Sequence, residues 1–258
     1  MTRSLDYTFC YCEENVYKFL ETVSTMGDLF DESYAVFMSS FNCPPCDEVP
    51  NRWTSVVPYR SYKYSEFKKD ITTWDYHVIA LVRAKRSGKW YVVDQDSRLP
   101  PSEDSDLGSL APHCVDLDRY VKNTLFLDAD VTSSISSEVT EILNRVRYRV
   151  VKRDDYLSFL RSDRSHMQLA PGVYQAKPPL WPLISEGSKF VEDSVKRRAE
   201  SALSALPSTL RANNLVCFIN VANNTVPGVI MDRHSFANFF FRDQKTNLLG
   251  RDEAPSKQ

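Results

Sequence analysis

The chain has 258 residues, 42% of them hydrophobic, which is enough to bury a substantial core, and its 32 basic and 34 acidic residues leave a formal net charge of −2. Such a balance gives no global positive field for nucleic acid or an anionic membrane, and no apolar run approaches the roughly 20 residues of a membrane-spanning helix. The N-terminus lacks a signal-peptide core, and six cysteines at 10, 12, 43, 46, 114 and 217 are too few and too uneven for a secreted disulfide framework, so reduced thiols in the cytosol, with the nucleus also open, are expected.

Along the chain, Val16, Phe19, Leu20 and Val23 recur at helical spacing directly after Cys10-Tyr11-Cys12-Glu13-Glu14-Asn15. Cys12 therefore stands at a helix N-terminus, where backbone N–H groups and the macrodipole favour a thiolate and are expected to lower its pKa. Tyr34 to Met38 reads as a short strand, followed by a Pro-rich stretch through Val57-Pro58. From Trp74 to Arg83 the alternation sets His77, Ile79 and Leu81 on one face. Lys85 to Lys89 then turns the chain into Trp90-Tyr91-Val92-Val93, which ends at Asp94. An even hairpin loop puts Asp94 on the His77 face; Asp96 has the same parity and is the alternative carboxylate.

Leu117 to Leu127 and Ser136 to Arg145 read as helices, Tyr148 to Val151 as a strand, and Asp154 or Asp155 as the cap of a helix through Leu160. Phe190 to Leu206 reads as a mixed-charge helix. Val216 to Ile219 and Val229 to Met231 read as strands, Ser235 as the cap of a terminal helix through Phe241, and the residues from Lys245 as a disordered tail. The pattern is α+β.

Thiol chemistry needs a base within reach and a third group to orient it, so Cys12, His77 and Asp94 form a candidate Cys-His-Asp triad. The competing use of these thiols is zinc, held by Cys10, Cys12, Cys43 and Cys46 in a non-catalytic interaction module; the prolines of Cys43-Pro44-Pro45-Cys46 and the one-residue gap in the first pair fit that poorly.

Cys10-Tyr11-Cys12-Glu13-Glu14-Asn15, Tyr34-Ala35-Val36-Phe37, Trp74-Asp75-Tyr76-His77-Val78, Asp94-Gln95-Asp96 with Leu99-Pro100, and Ser162-Asp163-Arg164-Ser165-His166-Met167 together resemble the successive motifs of the protein N-terminal glutamine amidohydrolases. The resemblance implies Cys12 as nucleophile, His77 as base and Asp94 as orienting carboxylate. It also implies an α-β-α sandwich similar to transglutaminase and papain-like cysteine enzymes, and hydrolysis of N-terminal glutamine to glutamate and ammonia in the N-degron pathway. No metal or organic cofactor is implied. Proteins or peptides that begin with glutamine are the expected partners, the enzyme acting as a monomer, with neither nucleic acid nor membrane. A transglutaminase-like or cysteine-protease activity would use the same triad. One catalytic domain over 1–244 is expected, with segments near 42–72 and 185–214 that look enlarged beside the family pattern, and a tail over 245–258. Recognition of a free α-ammonium group calls for a nearby carboxylate or a set of carbonyls. Glu13, Glu14, Asp75 and Asp163 are candidates by proximity to motifs, unranked, and His166 reads as structural.

Overall fold

The computed structural model describes residues 5–43, 55–61, 70–125 and 136–240. Its centre is a six-stranded antiparallel sheet in the order β10-β7-β1-β4-β5-β6. The strands are β1 (Phe30–Ser39), β4 (His77–Ala84), β5 (Trp90–Val93), β6 (Val115–Asp116), β7 (Arg147–Lys152) and β10 (Val229–Met231). Two small hairpins stand apart from it: β2 (Val57–Ser61) with β3 (Asp70–Trp74), and β8 (Gln168–Ala170) with β9 (Val173–Tyr174). The fold is therefore α+β.

The central strands are buried along nearly their whole length because both sheet faces are covered. On one face lies α1 (Cys12–Ser24), whose Val16, Phe19, Leu20 and Val23 share a core with Val78, Ala80 and Val82 of β4. Burial of each large side chain stabilises by about 1.5–3 kcal/mol, so this seam fixes the helix on the strand that begins with His77. The same core takes in α4 (Arg153–Phe159), α5 (Asp193–Ser204) and α7 (Leu215–Ile219). On the other face, Val36, Met38, Ile79 and Leu81 pack with α2 (Leu117–Thr124) and with Phe236 and Phe240 of a helical run over 233–240. Between these come α3 (Ser137–Arg145) and α6 (Ser208–Ala212). No described helix is long and apolar enough to cross a membrane.

Several local expectations are corrected. The run expected as a strand at Val216 to Ile219 is helical, Leu215–Ile219. A short apolar run does not distinguish the two states, and here the helix end is satisfied from outside: the buried Arg149 guanidinium donates to the carbonyls of Phe218 and Asn220, each at 2.9 Å, and to that of Asn223. Helix α4 starts at Arg153 with no side-chain cap, leaving Asp154 and Asp155 inside its first turn. Asp232, not Ser235, caps the last helical run, its Oδ1 accepting the Ser235 amide at 2.7 Å. The first strand is longer than Tyr34 to Met38, and α5 is shorter than Phe190 to Leu206. The expected tail from Lys245 lies outside the described residues.

Gly228 leads into β10 at φ 120°, and an added Cβ would sit 2.8 Å from Arg149 Cγ, 2.9 Å from Val151 Cγ2 and 3.1 Å from the Val150 carbonyl. Gly228→Ala is expected to cost about 2 kcal/mol or more and to lower the thermal midpoint by several degrees, read by circular dichroism. An unchanged midpoint would contradict the tight contact of this turn with β7.

Candidate active site

The turn before α1 is set by Asn15, whose side chain both accepts from the Thr8 amide and donates to the Thr8 carbonyl, each at 2.8 Å. Cys10 takes a left-handed φ of 67°, Tyr11 is the N-cap, and Cys12 is the first helical residue. Two carboxylates follow in the first turn, where the positive end of the helix favours them, and both are fully buried.

Their partners come from far along the chain. Glu14 receives the Arg164 guanidinium in two parallel hydrogen bonds of 2.9 and 2.8 Å, the Ser162 hydroxyl at 3.0 Å and the Trp181 indole at 2.7 Å. Arg164 also donates to the carbonyls of Pro179, Trp181 and Pro182, so the charged pair is well compensated. Glu13 accepts the Tyr76 hydroxyl at 3.0 Å through Oε2, while its Oε1 lies 3.3 Å from His166 Nε2. The first-turn acids thus anchor the Ser162 to Met167 motif beneath the helix start.

The β4–β5 hairpin supplies the other two groups. Its register pairs Arg83 with Trp90, enclosing residues 84–89, an even number, so His77 and Asp94 share a face. Continued past Ala80 and Val93, that register sets Asp96 across from His77, with Asp94 on the diagonal. The chain leaves the strand there in a turn closed by the Ser97 amide on the Asp94 carbonyl at 3.0 Å. It is Asp94 that meets the imidazole: His77 Nε2 lies 3.1 Å from Asp94 Oδ1.

Four donors converge on this carboxylate. Oδ1 also accepts the Asp96 amide at 3.0 Å, and Oδ2 accepts the phenols of Tyr59 and Tyr120, both at 2.7 Å. Burial works against the charged form of Asp94, but the His77 charge and the hydrogen bonds from His77, Tyr120 and Tyr59 prevail and hold its pKa at about 2. Burial and the Asp94 charge push both phenols well above their ordinary range, so they remain donors. Trp74 stacks on the His77 ring at 5.5 Å and 19°, and Tyr59 meets it edge-on at 5.3 Å. Tyr59 and Tyr120 carried no local signal in the sequence; Trp74 and Arg164 stood inside motifs, without visible partners.

Cys12 joins the hairpin through β4. The Val78 amide, next in the chain after His77, donates toward its sulfur, and Cys12 and Asp94 line the same small cavity. The expectation of a lowered thiol pKa is overturned. Although the residue keeps some surface exposure, burial of the sulfur, reinforced by the charges of Glu13, Asp96 and Asp75, pushes the thiol well above its ordinary value; the Val78 N–H opposes this only in part. Desolvation beside carboxylates outweighs the helix terminus.

His77, Asp94 and Asp96 present ligand atoms within 4.8 Å of one another, the one such grouping among the described residues. The Asp94 oxygens there are already engaged by four donors. Cys10, Cys12 and Cys43 form no such group among the described residues, and Cys46 lies outside them.

A family model described as N-terminal glutamine amidase matches residues 7–240. The chain belongs to the N-terminal glutamine amidase family. A protein N-terminal glutamine amidohydrolase of Caenorhabditis elegans is 31% identical over 179 residues, covering 69% of this chain and 77% of the relative. Proteins of the same name from Bos taurus and Homo sapiens are each 28% identical over 182 residues, covering 70% of this chain and 71% and 72% of the relatives. The span matched by the amidase family takes in Cys12, His77, Asp94 and the Arg164 motif.

A thiol held neutral at rest should alkylate slowly. The rate of iodoacetamide labelling at Cys12, followed by peptide mass spectrometry, is expected to keep rising through pH 9; a plateau reached below pH 8 would contradict the buried, acid-flanked setting of the sulfur.

Proposed function

We propose that this protein hydrolyses the side-chain amide of N-terminal glutamine in peptides and proteins, giving N-terminal glutamate and ammonia. One observation carries the proposal: the amidase family match spans Cys12, the hydrogen-bonded His77–Asp94 pair and the Glu14–Arg164 lock under the helix start. Helices on both sheet faces, with the nucleophile opening one of them, support a likeness to the α-β-α sandwich of transglutaminase and papain-like enzymes.

With His77 Nε2 committed to Asp94, Nδ1 is the nitrogen that exchanges protons. Cys12 Sγ attacks the carboxamide carbon as its proton passes to His77. Backbone N–H groups hold the resulting oxyanion, the Cys12 amide at the helix start among them. The imidazolium then protonates the departing nitrogen, and ammonia leaves a thioester. His77 next takes a proton from water, which attacks the thioester carbonyl; the thiol is restored and the glutamate side chain released. Asp94 orients the imidazole and stabilises its cation throughout. No cofactor enters this sequence. The N-terminal glutamate product suits the next step of an arginine N-degron pathway, in a single-domain monomeric enzyme of the cytosol or nucleus.

Cys12→Ala is expected to abolish ammonia release with circular dichroism unchanged, whereas Cys10→Ala retains most of it; comparable activity in both variants would sink the nucleophile assignment. Asp94→Asn is expected to lower kcat by orders of magnitude through loss of imidazole orientation.

Substrate choice is tested with matched peptides beginning with Gln, acetyl-Gln and Asn, assayed for ammonia. The Gln peptide should dominate. Acetylation removes the charge that marks a chain terminus, and asparagine is one methylene short of attack geometry, a misplacement of about 1 Å that costs on the order of a hundredfold. Equal rates on free and acetylated Gln would point to an internal-glutamine activity of the transglutaminase type, and backbone cleavage to a protease.

A further inference from the structure

The two residues that open α1 turn their side chains toward each other, which helix geometry does not favour. Successive positions on an α-helix point about 100° apart, and their side chains do not ordinarily meet. Here the Cys12 thiol donates to Glu13 Oε2, sulfur to oxygen 3.8 Å. The Glu13 carboxyl is drawn there from outside the helix. Tyr76, at the entry to β4, donates its hydroxyl to the same Oε2 at 3.0 Å, and the Tyr156 hydroxyl of α4 donates to the Glu13 carbonyl at 2.8 Å. Burial and the neighbouring Glu13 push the Tyr76 phenol well above its ordinary range, so it remains a donor.

The other carboxyl oxygen faces His166, and the tautomer of that ring is set by its own neighbour. Asn213 accepts the Leu215 amide at 3.3 Å through its oxygen and donates through Nδ2 to Asp163 Oδ1 and Ser165 Oγ, both at 3.0 Å. The same Nδ2 lies 3.3 Å from His166 Nδ1. An amide nitrogen is only a donor, so His166 Nδ1 is bare and the ring carries its hydrogen on Nε2, 3.3 Å from Glu13 Oε1. A thiol, a phenol and an imidazole N–H thus surround the fully buried Glu13 carboxyl, and all three are donors.

We infer that Glu13 is a positioning residue for the nucleophile: its carboxyl takes the S–H of Cys12 in the resting protein and holds the sulfur in one rotamer at the start of α1. This rests on the function proposed above, in which that sulfur attacks the glutamine carboxamide. The sulfur is fixed from two sides, giving its hydrogen to Glu13 and accepting the Val78 N–H. The first chemical step begins when that hydrogen turns from Glu13 to His77. The Ser162 to Met167 motif then has a second task beside the Arg164 lock, since His166 braces the acid that braces the thiol.

The test reads the S–H stretch of Cys12 by infrared difference spectroscopy, each protein against its Cys12→Ala counterpart, beside kcat and KM for ammonia release from a Gln-initiated peptide. The stretch falls in wavenumber as the hydrogen bond strengthens. Glu13→Gln replaces one acceptor oxygen with a donor, so the band should move up. Its kcat should fall by about tenfold or more with KM within about threefold, because the released thiol populates other rotamers. Tyr76→Phe leaves Oε2 to the thiol alone, so the band should move down. A band at the same wavenumber in wild type and Glu13→Gln overturns the assignment, as does one that stays or moves up in Tyr76→Phe; the second comparison decides alone if Glu13→Gln does not fold. A displaced band with wild-type kcat overturns it too, and so does a loss that falls on KM with kcat kept. A wild-type protein that releases no ammonia overturns the proposed function, while the band still decides where the thiol hydrogen goes.

Discussion

The carboxylate of Asp94 is the point on which the site converges. A buried anion is costly unless its lone pairs are met, and here the donors arrive from β2, β4, α2 and the turn after β5. Each of these elements is fixed by core packing, so the imidazole is held by the fold as a whole rather than by its neighbours in sequence. Trp74 covers one face of that ring and Tyr59 meets it edge-on, which limits rotation and excludes water from the pair.

A second buried acid organises the opposite side. Glu14 ties the first turn of α1 to Arg164, Ser162 and Trp181, a span of some 150 residues closed by hydrogen bonds. Had Arg164 been absent, the helix start would carry an uncompensated buried charge, a defect worth about 3–5 kcal/mol. Glu13 and His166 extend the same arrangement. One acid locks the backbone that presents Cys12; its neighbour sets the potential the sulfur experiences.

Much of this was legible in the residues. The apolar stripe from Val16 to Val23 located α1, and the alternation around His77 with an even loop implied a shared face with Asp94. Three things were not legible, each for a physical reason. The phenols on Asp94 come from isolated tyrosines whose approach depends on tertiary packing. The helix at Leu215–Ile219 depends on Arg149, distant in sequence, to satisfy its last carbonyls. The direction of the Cys12 shift depends on burial and on Asp96 and Asp75, whereas the local sequence displays only the helix terminus. Local chemistry indicated which groups meet; long-range burial determined their charge.

The protonated state of Cys12 has a consequence for how the protein meets its chemical environment. Peroxides and simple electrophiles react with thiolates, so a sulfur kept neutral by its surroundings is a poor target for both while the cavity is empty. The thiol is thereby shielded by the surroundings that bury it. An electrophile aimed at this sulfur gains little from raw reactivity and depends on the contacts that bring it to the buried thiol.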